Sequence, residues 1–380
     1  MVARITKKRL TKIIVIIPIV LVCVITVAWI VAFIHFRSSN IERQFDSVVK
    51  KENIHEAILF VENSTGDFSV SFGYGGRDID SPMITASVTK MFTTACILIL
   101  YDDGRLSLDD KISLHIDDEV LSGLHIYRGH EYSFELTISN LLFQTSGLPD
   151  YFTNNIARDI IVNGDRYVAF EEILEKTRTL TPSFAPNSDR AYYADINFDL
   201  LGLILENITG LPLEKIYEQF IFNPLEMANT YLPVKVNDFV PHTFYGSERI
   251  ERPLFIASTR ASGGVISTAR DMMIFSRAFW NGDLFDNDIL ERISDYRRLQ
   301  LSMSPIQYGG GHMRILLSGP STFFLASGNL IGHSGSTGSF VFFFPEKDLH
   351  FIGDLAQLES PGSAVRFVMQ MAMAIDGRLH

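Results

Sequence analysis

The chain has 380 residues, 47% of them hydrophobic and 20% charged, with a formal charge of −11, which allows one large globular domain or two modest ones. The first 50 residues hold 8 of the 33 basic residues and 2 of the 44 acidic ones, so the remainder carries 25 basic against 42 acidic side chains. That acidic balance argues against nucleic acid as a partner, and with Cys23 and Cys96 the only cysteines, an internal disulfide beyond the N-terminal segment is ruled out.

The first feature along the chain is an apolar run. From Ile13 to Ile34 there is no charged side chain, a length that suits a tilted helix crossing the roughly 30 Å hydrocarbon core. The run exceeds the roughly 7 to 15 apolar residues of a signal peptide and no small-x-small cleavage site follows, so an uncleaved anchor over 13–35 is expected. Pro18 within it is tolerable in lipid. Arg4, Lys7, Lys8, Arg9 and Lys12 crowd the leading segment. By the positive-inside rule residues 1–12 are therefore expected in the cytoplasm and the rest of the chain outside.

Residues 36–50 are polar with a weak helical pattern and read as a juxtamembrane spacer, leaving 51–380 as one unit. "EAILFVENSTGDFSVSFGYGG" reads as two strands around a turn. "SVTKMFTTACILILYDDG" reads as a long buried helix ending near Gly104, with Cys96 as a small core residue. From about Leu108 to Trp280 the pattern is mostly helical, broken by turns such as "TSGLPDYF" and "LTPSFAPNSD". Beyond Gly309 the chain is aromatic and β-rich, and "SAVRFVMQMAMAI" closes it with an amphipathic helix. Strands, helical middle, strands, helix is an α+β order: an antiparallel sheet built from both ends of the chain with flanking helices, plus a mostly helical lobe.

Two Ser-x-x-Lys pairs occur, Ser47 with Lys50 and Ser87 with Lys90. The first sits in the charged spacer, where no water-excluding pocket is expected. Ser87 stands near a helix start, where free N–H groups and the helix dipole favour negative charge, and Lys90 falls on the same helix face three residues on. Apolar neighbours such as Met91, Phe92 and Ile97 would desolvate the lysine and push it toward use as a base. The same pattern also suits a helix-start serine followed by a solvated lysine. Other chemistries lack their signatures. There is no Gly-x-Ser-x-Gly elbow, no His-Glu-x-x-His, and no Lys-Ser/Thr partner for the glycines of "YGGGHM".

Four stretches in order, "SVTK", "LLFQTSGLPDYF", "YYADINFDLLGLILENITG" and "GHSGSTGSF", resemble the serine β-lactamase and penicillin-binding-protein family. The likeness is nearest to class C β-lactamases, D-alanyl-D-alanine peptidases and related esterases, and it runs from about residue 50 to the end. The resemblance implies a β-lactamase/transpeptidase-like fold and an acyl-enzyme on Ser87, with Lys90 and Tyr193 moving protons and the backbone N–H groups of Ser87 and Ser336 forming an oxyanion hole. It further implies substrate contacts from Asp195, which stands where the family usually has Asn, and from His333, Ser334 and Gly335. No metal or cofactor is implied. Ser327-Gly328-Asn329 is a rival second motif, rejected because it falls among the strands only four residues before His333.

Asp195 is a departure with consequences. Asn donates to a substrate carbonyl where an ionised Asp only accepts, so substrates presenting an amine or hydroxyl are favoured. A His in place of the usual Lys at 333 weakens attraction for a substrate carboxylate. The expectation is a membrane-anchored extracytoplasmic serine hydrolase acting on a small peptide or ester, first of all on peptidoglycan-type D-amino-acid peptides. An esterase or weak β-lactamase of the same family is the alternative. A catalytically silent module that binds cell-wall fragments or a protein partner is the alternative from another class.

Overall fold

The computed structural model describes residues 40–50, 54–152, 163–186, 188–319, 322 and 326–376, together with the isolated positions Ile17, Val20, Val24 and Thr26. The anchor expected over 13–35 lies outside the described residues apart from those four positions, as do residues 1–12. Among the described residues no single helix is long and apolar enough to cross a membrane.

One antiparallel sheet organises the chain. Its strands are β1 (Ala57–Glu62), β2 (Ser69–Tyr74), β3 (Arg297–Arg298), β4 (Gln307–Tyr308), β5 (Met313–Leu316), β6 (Asn329–Ser334), β7 (Phe340–Phe344) and β8 (Leu349–Asp354), in the spatial order β2-β1-β8-β7-β6-β5-β4-β3. The hairpin from the start of the chain therefore pairs with the last strand, Ile58 opposite Asp354 and Glu62 opposite His350. Both ends of the chain build the sheet, and the helical middle is the excursion between them.

Both faces of the sheet are covered, which is why β7 reads as an unbroken apolar run, Phe-Val-Phe-Phe-Phe. Alternate side chains on a strand point to opposite faces. The Phe340 ring meets Phe367 of α5 (Ser363–Asp376) at 5.5 Å, whereas Phe343 stacks at 6.2 Å on Trp280 of α4 (Ala269–Asn281). On the α4 side His350 Nδ1 lies 2.8 Å from the Ser276 hydroxyl.

The segment expected as a spacer packs against this sheet instead. Helix α1 (Ile41–Val49), N-capped by the Asn40 side chain, buries Phe45, Val48 and Val49, and Phe45 contacts both Phe72 and Phe367. Its charged residues face water and its apolar stripe completes the α5 layer, so the folded unit begins about ten residues earlier than the charge pattern indicates. The rejected Ser47/Lys50 pair lies here, with Lys50 bound to Asp46 at 2.7 Å.

The helical lobe centres on two 14-residue helices, α2 (Thr89–Asp102) and α3 (Ile196–Thr209). Both are apolar nearly all round and buried, as core helices are. Cys96, inside α2, is a buried free thiol pushed up by burial.

Gly353 marks a close approach between neighbouring strands of the sheet. A Cβ there would stand 2.1 Å from the Ile58 carbonyl oxygen and 2.6 Å from the Phe340 ring. Gly353→Ala is expected to destabilise the fold by about 2 kcal/mol or more, measured as a fall in the urea midpoint. An unchanged midpoint would contradict this strand pairing.

Candidate active site

Ser87 occupies a short 3-10 turn, Ala86–Val88, that leads directly into α2. Ala86 has φ +45°, a left-handed conformation that costs a non-glycine residue on the order of 1 kcal/mol or more. The surroundings hold it there. The Thr85 N–H and hydroxyl donate to the Val265 carbonyl at 3.0 and 2.9 Å. Ser339 Oγ donates to the Thr85 carbonyl at 2.7 Å, and Thr337 Oγ1 to the Ile84 carbonyl at 3.0 Å.

These last bonds explain the spacing of "HSGSTGS". They come from the turn joining β6 to β7, which is pressed onto the serine turn. At Gly335 a Cβ would lie 2.6 Å from the Thr85 oxygen and 2.9 Å from the Ala86 Cβ, so only glycine fits between the elements. Ser334, Gly335, Ser336 and Thr337 consequently line the same cavity as Ser87, which has a volume of about 410 Å³. Among the described residues neither the Ser87 nor the Ser336 amide has an intramolecular acceptor.

Lys90, the second residue of α2, is fully buried. Its Nζ lies 3.3 Å from Ser87 Oγ, 2.6 Å from the Ser262 carbonyl and 2.7 Å from Asp195 Oδ1. The solvated-lysine reading is therefore excluded. The contact with Asp195 is one of charge, since its angle falls outside hydrogen-bond geometry. The Tyr193 ring lies 5.1 Å and the Phe198 ring 5.6 Å from Nζ, adding cation–π attraction.

Tyr193 and Asp195 stand on the loop before α3, and four successive amides of that loop are held from outside. Tyr192 N–H donates to the Gln144 carbonyl at 2.9 Å and Tyr193 N–H to Gln300 Oε1 at 3.0 Å. Ala194 N–H donates to Gln144 Oε1 at 2.9 Å and Asp195 N–H to Asp150 Oδ1 at 3.3 Å. The Tyr193 hydroxyl is out of water and makes no hydrogen bond of full geometry. Burial, then the charges of Asp195 and Asp150, push this phenol well above its ordinary range, against a smaller opposing pull from the Ser87 hydroxyl. It is a proton donor at neutral pH.

His333, expected at the substrate, lies instead beneath the site. It is completely buried and does not line the cavity. Nδ1 meets the Ser334 carbonyl at 2.8 Å and Nε2 the Tyr308 hydroxyl at 3.2 Å. Burial, helped by the Lys90 charge, lowers its pKa to about 3, so it is a neutral support under Tyr193 and Tyr308 rather than a partly charged contact. The Gly328-Asn329 motif is on the sheet, with the Asn329 amide bound to Glu346 at 2.8 Å.

Several residues here carry no signal of their own in the sequence. Gln144 and Asp150 fall inside the quoted "LLFQTSGLPDYF", but nothing in their type marks them as loop clamps. Gln300 and Arg252 reach the site from elements distant in sequence, whereas Asp199 lies within the quoted "YYADINFDLLGLILENITG" without any mark of its own. Asp199, one turn below Asp195 on α3, accepts from the Tyr151 hydroxyl at 2.8 Å. Burial first, then the Asp195 charge, raise its pKa to about 7.

A family model described as Beta-lactamase matches residues 67–364. Protein flp of Staphylococcus aureus (strain MRSA252) is 28% identical over 255 residues, which cover 62% of this chain and 48% of flp. Penicillin-binding protein 4* of Bacillus subtilis (strain 168) is 26% identical over 326 residues, 79% of this chain and 66% of that protein. The chain thus spans about half or less of the flp proteins it matches. The crystal structure of D-amino acid amidase from Ochrobactrum anthropi SV3 superposes with a TM-score of 0.72 at 19% identity, over 90% of this chain and all of the amidase chain. At that identity the likeness establishes the β-lactamase/transpeptidase-like α+β fold.

Asp199 generates a pH prediction. With a folded pKa near 7 against about 4 unfolded, the folded chain holds a proton that the unfolded chain has lost between those values, so this group's contribution to stability falls as pH rises from 4 to 7. Asp199→Asn is expected to be more stable than the parent at pH 8 by on the order of 2 kcal/mol, with most of the difference gone at pH 5. Denaturant titrations at both pH values check this, and a variant less stable at pH 8 would contradict it.

Proposed function

Because the chain belongs to the beta-lactamase family, whose members are serine hydrolases, we propose that it cleaves small D-amino-acid peptides or amides through an acyl-enzyme on Ser87. The observation that carries this reading is the 3.3 Å contact between the buried Lys90 Nζ and Ser87 Oγ at the wall of a 410 Å³ cavity. With Lys90 acting as the free amine, the Ser87 oxygen bonds to the substrate carbonyl carbon while its proton passes to the Lys90–Tyr193 pair, the Lys90 nitrogen accepting it. The same pair returns a proton to the leaving nitrogen or oxygen as that bond breaks. Water then repeats the sequence on the acyl-enzyme and releases the acid.

The Ser87 and Ser336 amides, neither of them tied to an acceptor among the described residues, donate to the oxyanion, and each such donor is worth about 3 kcal/mol in related chemistry. Ser334 and Gly335 form the cavity edge along which an extended substrate lies. Asp195 accepts rather than donates, so it takes a substrate amine or hydroxyl. A group that engages its carboxylate competes with Lys90 for it, loosens the ion pair, and thereby couples recognition to release of the base.

The D-amino-acid preference is supported by the likeness to a penicillin-binding protein and a D-amino acid amidase. The uncharged 13–34 run and its basic flank support a single-pass anchor with the catalytic domain outside the membrane. Ester hydrolysis is the second reading, favoured by the neutral His333, which supplies no cation for a substrate carboxylate.

Two experiments test this. Intact mass of the full-length chain in mild detergent after a fluorophosphonate, and separately after a penicillin, is expected to show a single adduct with the first that vanishes in Ser87→Ala. Labelling by penicillin as well identifies peptidase-type recognition, its absence the esterase type, and no adduct with either reagent on folded protein overturns the enzyme reading. Asp195→Asn, which restores a donor and frees Lys90, is expected to raise acylation by neutral peptides or β-lactams about tenfold, a gain of roughly 1.4 kcal/mol. A uniform loss on all substrates would contradict the role given to Asp195.

A further inference from the structure

Every other positive charge near Ser87 is already engaged. Lys90 is held by Asp195 and the Ser262 carbonyl, and His333 is neutral. Among the described residues Arg252 is the one Arg or Lys that lines the cavity containing Ser87.

Arg252 is the N-cap residue of the short helix Pro253–Ser258. The Asp165 carboxylate fixes the start of that helix, accepting from Leu254 and Phe255 N–H at 2.9 Å each. Both Asp165 oxygens are thereby occupied. Burial lowers the pKa of the guanidinium, the Asp165 charge only partly offsetting it, and no ion pair is found between the two. Nη2 of Arg252 is withdrawn from solvent and has no acceptor. A buried donor left without a partner costs roughly 1–3 kcal/mol, more when charged, and is the kind of vacancy that an anionic ligand fills.

The walls suit such a ligand. Phe152 and Phe255 line the same cavity and stack at 6.0 Å with an interplanar angle of 11°, giving an apolar surround in which a charge pair is stronger than in water. Asp150 and Asp195 also line the cavity and repel an anion from their side. A guanidinium presents paired donors that match a carboxylate.

We propose that Arg252 determines specificity by binding a carboxylate carried by the substrate, in the same cavity in which Ser87 acts. This rests on the reading of Ser87 as the nucleophile and names the substrate class more narrowly: acyl compounds bearing a free acid group besides the bond that is cleaved. Arg252, not the Lys or His of the sheet motif, supplies the cation.

The test compares mono-4-nitrophenyl glutarate with the uncharged 4-nitrophenyl hexanoate on the full-length chain. The ratio of kcat/KM for the acid over the neutral ester is expected to fall at least tenfold in Arg252→Met and to recover in part in Arg252→Lys. The same ratio in all three proteins overturns the proposal. A second measurement needs no turnover. In the Ser87→Ala chain glutarate is expected to raise Tm more than glutaramide does, and the difference is expected to vanish when Arg252→Met is added. Equal shifts from the two ligands also overturn it. Failure of the nucleophile reading looks different: no fluorophosphonate adduct on the parent chain, with the Arg252-dependent glutarate shift intact.

Discussion

A lysine ammonium with no solvent exposure is the constraint around which this molecule is arranged. Taking such a charge out of water costs several kcal/mol unless its donors and its charge are met. Lys90 meets that condition through three separate pieces of chain: the serine turn at Ser87, the loop before α3 at Asp195, and the short helix ending at Gly263 through the Ser262 carbonyl. Removing any one would leave a buried charge short of a partner, so the helical lobe and the serine turn are held in one fixed relation. The contact between Lys90 and Ser87 is also what joins the elements.

The sheet supplies the other half of that relation. Gly335 lets the β6–β7 turn press on Thr85 and Ala86, and the hydroxyls of Thr337 and Ser339 tie the Ile84 and Thr85 carbonyls. The strained Ala86 conformation persists because it is over-determined from the sheet and from Val265 at once. Gln144 does the equivalent for the Tyr193 loop. Catalytic geometry of this kind needs each reacting group fixed to within about half an ångström by packing and hydrogen bonds behind it, and here both sides of the site have such backing.

Electrostatics then sort the titratable groups. Burial keeps the Tyr193 phenol protonated and His333 neutral. The carboxylates Asp150, Asp195 and Asp199 crowd together, and Asp199 answers by holding its proton up to about pH 7. The site is thus negative around α3, with Lys90 neutralised inside it and Arg252 as the remaining positive group on the wall. A substrate is oriented by that polarity before any bond changes.

The sequence by itself determined the class of the fold and the proximity of Ser87 and Lys90. Alternating and continuous apolar runs report directly which faces are buried, and a helix brings residues three apart together whatever its tertiary setting. The β1–β2 hairpin, the long helix after Ser87 and the closing helix were legible for that reason. Only the tertiary structure decided that α1 belongs to the domain, because its charged face masks an apolar stripe three residues wide. It also decided that His333 supports rather than touches, since a strand residue's depth depends on what covers the sheet. And it brought Gln144, Asp150, Arg252 and Gln300 to the site, from positions up to 156 residues apart, through contacts that no local pattern encodes.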